Sequence, residues 1–287
     1  MTTFTPAVPA SAKTRPAAPP TAPGVRPVGV FDSGLGGLSV LRHLPAALPG
    51  VPLVYFADTA RAPYGQRTAA EIAAYSEEIA DLLVGDYGCG ALVVACNTAT
   101  AAAIEILRER YPALPVVGME PAVKPAARAT RTGVVGVMAT AGTIGSEKYA
   151  ELLSRHGRDV RVVADPCEGL VELIEAGERD GAELVCRIGE IVLPMRGAGA
   201  DVIVLGCTHF PLVATAIAAV AGAGVTLVDP APAVVRQVVR RVPVASGPTG
   251  AVRTAITFLT SGDEGAFRQN LRRLVPELMG EATVRAV

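Results

Sequence analysis

The chain has 287 residues, a formal net charge of −1, 50 % hydrophobic residues, 4 % aromatic residues and 18 % charged residues. That length can bury a sizeable core and predicts two domains. The near-neutral charge and the lack of a basic run exclude broad electrostatic binding of polyanions, so a small-molecule partner is expected, with no nucleic acid. Five cysteines form an odd set without a CxxC pair, which predicts free thiols in a reducing, cytoplasmic location.

Residues 1–27 hold seven prolines, three basic residues and no acid. They read as a disordered Pro/Ala-rich tail, bounded at 1–25, with a transit peptide as the alternative. Prolines stand where a secretory signal would carry its apolar stretch. From Val28 onward, β-branched runs alternate with helical patterns. Strands are expected over 28–31, 53–57, 91–95, 116–118, 134–138, 160–164, 202–205 and 225–228, with a further one at 254–259. Between them lie amphipathic stretches such as 68–84, where Ile72, Tyr75, Ile79 and Leu82–Leu83 recur at helical spacing. The apolar stretch 212–228 is too short and too glycine-broken to span a membrane, and reads as a buried helix followed by a buried strand. Later helices are expected at 233–242 and 264–274. Such alternation predicts an α/β fold of two similar domains, each a parallel sheet covered by helices, with a site in the cleft between them. The boundaries fall near 120–121 and 229–230. Residues 26–120 with 231–287 then form one domain and 121–230 the other.

Two runs concentrate the chemistry: Val93-Val94-Ala95-Cys96-Asn97-Thr98 and Val204-Leu205-Gly206-Cys207-Thr208-His209. Each is an apolar strand ending in a cysteine with polar residues next to it, where α/β proteins place ligands. One thiol from each half suggests two sulfurs flanking one substrate, suited to moving a proton between the faces of a carbon. A helix start at each cysteine would favour thiolate. Cys89, Cys167 and Cys186 lack such neighbours and read as small apolar residues. His209 could serve Cys207 or a substrate carboxylate, or cap a helix before Pro211. His43 and His156 are expected on surfaces, and Arg236, Arg240 and Arg241 on a solvated helix face.

The stretch Val30-Phe31-Asp32-Ser33-Gly34-Leu35-Gly36-Gly37-Leu38-Ser39 reads as strand, glycine turn and helix start. It departs from the dinucleotide fingerprint at Ser39, and Asp32 would repel phosphate. A ligand with a carboxylate and an ammonium fits better, the turn amides taking one group and Asp32 the other. Asp58 precedes Pro63-Tyr64-Gly65, a turn able to offer backbone amides and a phenol. Thr140 and Thr143 follow a strand, and Thr143 could equally be a helix cap. Glu175 could point a carboxylate into the cleft.

The runs Phe31–Gly37, Pro63-Tyr64-Gly65, Ala95-Cys96-Asn97-Thr98 and Leu205–Pro211 together resemble the glutamate racemase family, over roughly residues 25–274. The resemblance implies a cofactor-independent, metal-free interconversion of L- and D-glutamate that supplies peptidoglycan synthesis. It implies that Cys96 and Cys207 are the two acid/base residues, assisted by Asp32 and His209. It further implies that Asp32, Ser33, Tyr64, Gly65, Asn97, Thr98, Thr208 and His209 hold the substrate and that Glu175 is an additional catalytic acid; Thr140 and Thr143, from their own loop, are expected to join the substrate contacts, and a homodimer is expected. The chain departs from the family at Cys167-Glu168 and Asp229-Pro230. Other chemistries compatible with the residues are a cysteine hydrolase, a zinc site of Cys96, Cys207 and His209, and a cleft-closing binding protein.

Overall fold

The computed structural model describes residues 25–242, 254–280 and 282–287. The proline-rich tail expected at 1–25 therefore lies almost wholly outside the described residues. Ten strands occur among those described: β1 (Val28–Asp32), β2 (Leu53–Ala57), β3 (Ala91–Val94), β4 (Val116–Val117), β5 (Val134–Met138), β6 (Arg161–Asp165), β7 (Val202–Leu205), β8 (Thr226–Val228), β9 (Ile256–Thr260) and β10 (Thr283–Ala286). They form a six-stranded sheet, order β10-β9-β2-β1-β3-β4, and a four-stranded sheet, order β6-β5-β7-β8. Every pairing is parallel.

Both faces of the larger sheet are buried at β1, β2, β3 and β9, which is why those strands are largely apolar. Val30 and Val93 face one core while Phe31 and Val94 face the other. Helix Ala69–Asp81 covers one face; Thr68 and Glu71 close its start in a reciprocal capping box. It ends in a π-turn at Leu82–Asp86, so the expected single helix over 68–84 changes pitch near its end. Helix Ala231–Arg241 lays Val234, Val235 and Val238 on the opposite core. Arg236, Arg240 and Arg241 lie on its exposed side.

The smaller sheet is buried most fully at β5 and β7. The expected buried strand at 225–228 is instead the edge strand β8, with Thr226 exposed and Leu227 and Val228 half-buried. An edge needs covering on fewer sides, and the preceding Gly222 and Gly224 leave nothing to pack there. β10 had no apolar run to announce it, since only Val284 among its residues is buried.

Asp201 ties the entrance of β5 to that of β7. It accepts hydrogen bonds from Thr130 Oγ1 (2.5 Å), the Arg131 N–H (2.8 Å) and Thr132 Oγ1 (3.0 Å). Burial opposes its charge, yet these donors outweigh burial and hold its carboxyl at about 2, below the ordinary 3.8. The contribution is therefore complete above 3.8 and lost as pH falls through about 2. Asp201→Asn should cost about 1–3 kcal/mol near neutral pH. Urea melts should find that gap from wild type closing as acid is added. A gap independent of pH would refute the role given to the charge.

In each sheet the chain order reverses beside the first strand entered, between β1 and β3 and between β5 and β7. Crevices at the carboxyl ends of strands open at such reversals. Asp32 ends β1 and Cys96 follows β3; Thr140 follows β5 and Cys207 follows β7. Topology alone thus brings the four loops of interest to two facing crevices.

Candidate active site

A cavity of about 320 Å³ lies between the two sheets. Cys96 and Cys207 both line it, one from each sheet. Each is buried, at 4 % and 6 % exposure, and both are free thiols. Of the residues singled out from sequence, Ser33, Tyr64, Gly65, Asn97, Thr98, Thr140, Thr208 and His209 also line the cavity. Asp32, Thr143 and Glu175 do not; they stand behind its walls and act on residues that do.

On the Cys96 side, Asp32 is fully buried. Its Oδ2 accepts from the Gly37 N–H (2.8 Å) and the Gly34 N–H (3.3 Å), and its Oδ1 from Thr208 Oγ1 (3.4 Å). The expectation that the glycine-turn amides await a ligand anion is therefore corrected, since Asp32 takes two of them. Tyr55, from β2, steadies the same turn by donating to the Gly34 carbonyl at 2.8 Å. Burial raises the Asp32 carboxyl above its ordinary range, although His209 and the Gly37 N–H oppose this. Cys96 caps helix Asn97–Arg110, and its Sγ lies 3.8 Å from Ser33 Oγ. Burial and then the Asp32 charge push its thiol up, outweighing the Ala99 N–H. The expected bias toward thiolate at this helix start is thus overridden by burial and the Asp32 charge.

On the Cys207 side no α-helix begins at the cysteine. A 3₁₀ turn at Phe210–Val213 intervenes, because Pro211 limits how the chain can start, and the helix proper is Ala214–Ala221. His209 occupies the cap position of that turn but its side chain makes no capping bond: its Nδ1 lies 3.6 Å from Cys207 Sγ and its Nε2 2.5 Å from Glu175 Oε1. Burial would lower the imidazole, but hydrogen bonds to Cys207 and Glu175 outweigh it and hold the ring well above its ordinary value. Glu175 also accepts from the Leu35 N–H at 2.6 Å, reaching across to the glycine turn. The carboxylate expected to point into the cleft instead braces His209 from behind.

Hydroxyls join the two sheets at a third point. Thr98 Oγ1 lies 2.9 Å from Thr140 Oγ1 and 3.4 Å from Thr143 Oγ1. Thr140, not Thr143, is the cap of the short helix Ala141–Ile144, accepting from the Thr143 N–H. Asn97 donates weakly to the Met119 carbonyl (3.4 Å), while its Oδ1 is buried without a partner.

Sequence reasoning missed part of the cavity wall. Cys167, read as an apolar filler, lines it from a turn where the residue itself has φ 51°. Glu168 and Glu172 border the cavity with Gln66, whose Nε2 donates to Glu172 at 2.9 Å. Cys89 is fully buried and Cys186 exposed, both away from the lining. Among the described residues, no three His, Cys, Asp or Glu side chains converge as a metal site. No described helix is long and apolar enough to cross a membrane.

Residues 36–238 match the family model described as Asp/Glu/Hydantoin racemase. A glutamate racemase of Pseudomonas paraeruginosa is 48 % identical over 258 residues, covering 88 % of this chain and 94 % of its own. Among solved structures, the glutamate racemase of Escherichia coli superposes with a TM-score of 0.79 at 31 % identity, covering 91 % of this chain and 98 % of its own. That of Francisella tularensis gives 0.77 at 29 % identity, covering 91 % and 97 %. The two thiols facing one cavity across paired parallel sheets accord with these likenesses, and the chain belongs to the Asp/Glu/hydantoin racemase family, within its glutamate racemases.

Proposed function

We propose that this chain interconverts L- and D-glutamate without a cofactor, by two-base proton transfer at Cα, supplying D-glutamate for peptidoglycan synthesis. The observation that carries the reading is one cavity lined by Cys96 and Cys207 from opposite sheets. The Escherichia coli relative was solved with L-glutamate and the Francisella tularensis relative with D-glutamate, which supports the substrate.

An amino-acid α-proton is far too weakly acidic for a thiolate in water. The site must therefore exclude water and stabilise the enolate-like carboxylate as charge develops. Helix Asn97–Arg110 begins at the cavity, so its positive end lies where a substrate carboxylate would sit. Hydroxyls of Ser33, Thr98, Thr140 and Thr208 surround the same space. One thiolate removes the Cα proton while the opposite thiol delivers another to the other face. Asp32 supports the Cys96 side, and His209 braced by Glu175 supports the Cys207 side. Thr143 acts through Thr98 and Thr140.

The reading includes a division into domains 26–120 with 231–287 and 121–230, which the membership of the two sheets supports. It also includes a cytoplasmic location, supported by five free thiols, and a homodimer. Incubation with L-glutamate in D₂O is the test. D-glutamate should accumulate with deuterium at Cα. Absence of both the D-isomer and the label would remove the function.

A further inference from the structure

The loop from Asp58 to Tyr64 is anchored by one buried carboxylate. Asp58 is fully buried, and its own N–H donates to the Asp32 carbonyl at 3.0 Å. Its Oδ2 accepts from the Tyr64 hydroxyl. Its Oδ1 accepts from Ser261 Oγ (2.7 Å) and Arg61 Nε (3.0 Å). Arg61 continues to Glu78 at 2.7 Å and lies over the Tyr75 ring, which packs beside Tyr64. Ser261 follows β9, and its Oγ also accepts from the Ala60 N–H at 3.1 Å. Four donors thus converge on Asp58 or its immediate support, one of them, Ser261 Oγ, from a segment 203 positions later in the chain.

The Tyr64 phenol, spent on Asp58, is not the ligand donor the sequence suggested. What Tyr64 and Gly65 give the cavity is wall. Gly65 lies directly against Thr140 of the other sheet, where an added Cβ would meet the threonine at 3.2 Å. Thr140 in turn belongs to the hydroxyl chain with Thr98 and Thr143. We propose that Asp58 is a positioning residue for substrate binding. Through Tyr64 it fixes the Tyr64-Gly65 wall against Thr140, with Ser261 of the C-terminal segment as its second support. This rests on the racemase reading only for the choice of ligand.

The test compares Asp58→Asn, Tyr64→Phe, their double variant and Ser261→Ala in the full-length protein. Both single cavity-side variants should raise KM for L-glutamate about 10-fold or more while kcat changes much less. The double variant should be no worse than the more severe single one, because both remove the same link. Ser261→Ala, outside the cavity, should raise KM in the same direction by less, which keeps the test decisive if Asp58→Asn fails to fold. Thiol-labelling rates of Cys96 and Cys207, read by mass spectrometry, need no substrate and should rise in Asp58→Asn and Tyr64→Phe. Lower melting temperatures with unchanged KM and labelling would make Asp58 merely structural and overturn the proposal, as would additive effects in the double variant. A wild type inert toward glutamate would defeat the racemase reading instead, and the labelling rates would still decide the role of Asp58.

Discussion

Replacing either cavity thiol by serine, as Cys96→Ser or Cys207→Ser, should reduce racemisation by at least the 10²–10⁴-fold that a positioned proton-transfer group contributes. A serine hydroxyl is a far poorer acid than a thiol and cannot take either role at neutral pH. The diagnostic part is what survives. Elimination of HX from a glutamate analogue with a β-leaving group needs a single base: the Cα proton goes to sulfur and the leaving group departs with its electron pair. Each variant keeps one thiol, on one side of the cavity. Each should therefore process only one enantiomer of the analogue, and the two variants opposite ones. Chiral chromatography of the residual substrate reads this directly. Near wild-type racemisation by either variant would show that its missing sulfur is no acid or base.

Gly36→Ala should be nearly as damaging, though Gly36 carries no chemistry. A Cβ there would overlap Thr208 Oγ1 and the ring of His209. Neither can yield, since Thr208 is 1 % and His209 2 % exposed and the imidazole is held by Glu175. The glycine turn and the Cys207 loop must then part. Overpacking of this kind costs about 1–3 kcal/mol, and a displacement near 1 Å can cost about 10²-fold in rate. We expect kcat/KM to fall by about that factor, together with the melting temperature. Gly189→Ala is the control. Its Cβ, on helix Ala182–Gly197, would make only an ordinary van der Waals contact, 3.9 Å from Leu193. It should leave activity unchanged and stabilise by about 0.5–1 kcal/mol, the usual gain over glycine within a helix. Equal losses in both variants would mean that tight apposition at Gly36 is not what the site depends on.

How legible each part was follows from the range of its cause. β2, β5 and β7 could be bounded from sequence because burial on both faces demands unbroken apolar residues. The cysteine loops were legible because strand ends in a parallel sheet point one way. β10 was hidden, its pairing to β9 being set by backbone and by one buried valine. The brace from Glu175 to Leu35 spans 140 positions and the bond from Ser261 to Asp58 spans 203. No local pattern encodes contacts of that separation. Cys167 reaches the cavity through a left-handed backbone turn that its neighbours gave no reason to expect. The thiolate bias at Cys96 misled because a helix terminus is a local effect, whereas desolvation by the folded surroundings is not.

The supports of the two sulfurs are crossed. Asp32, beneath Cys96, is held partly by Thr208 from the facing sheet, and Glu175, beneath His209, is tied to Leu35 from the sheet opposite its own. A substitution that parts the two sheets at either strut would therefore loosen the support of the sulfur on both sides, since each strut runs from one sheet to the other.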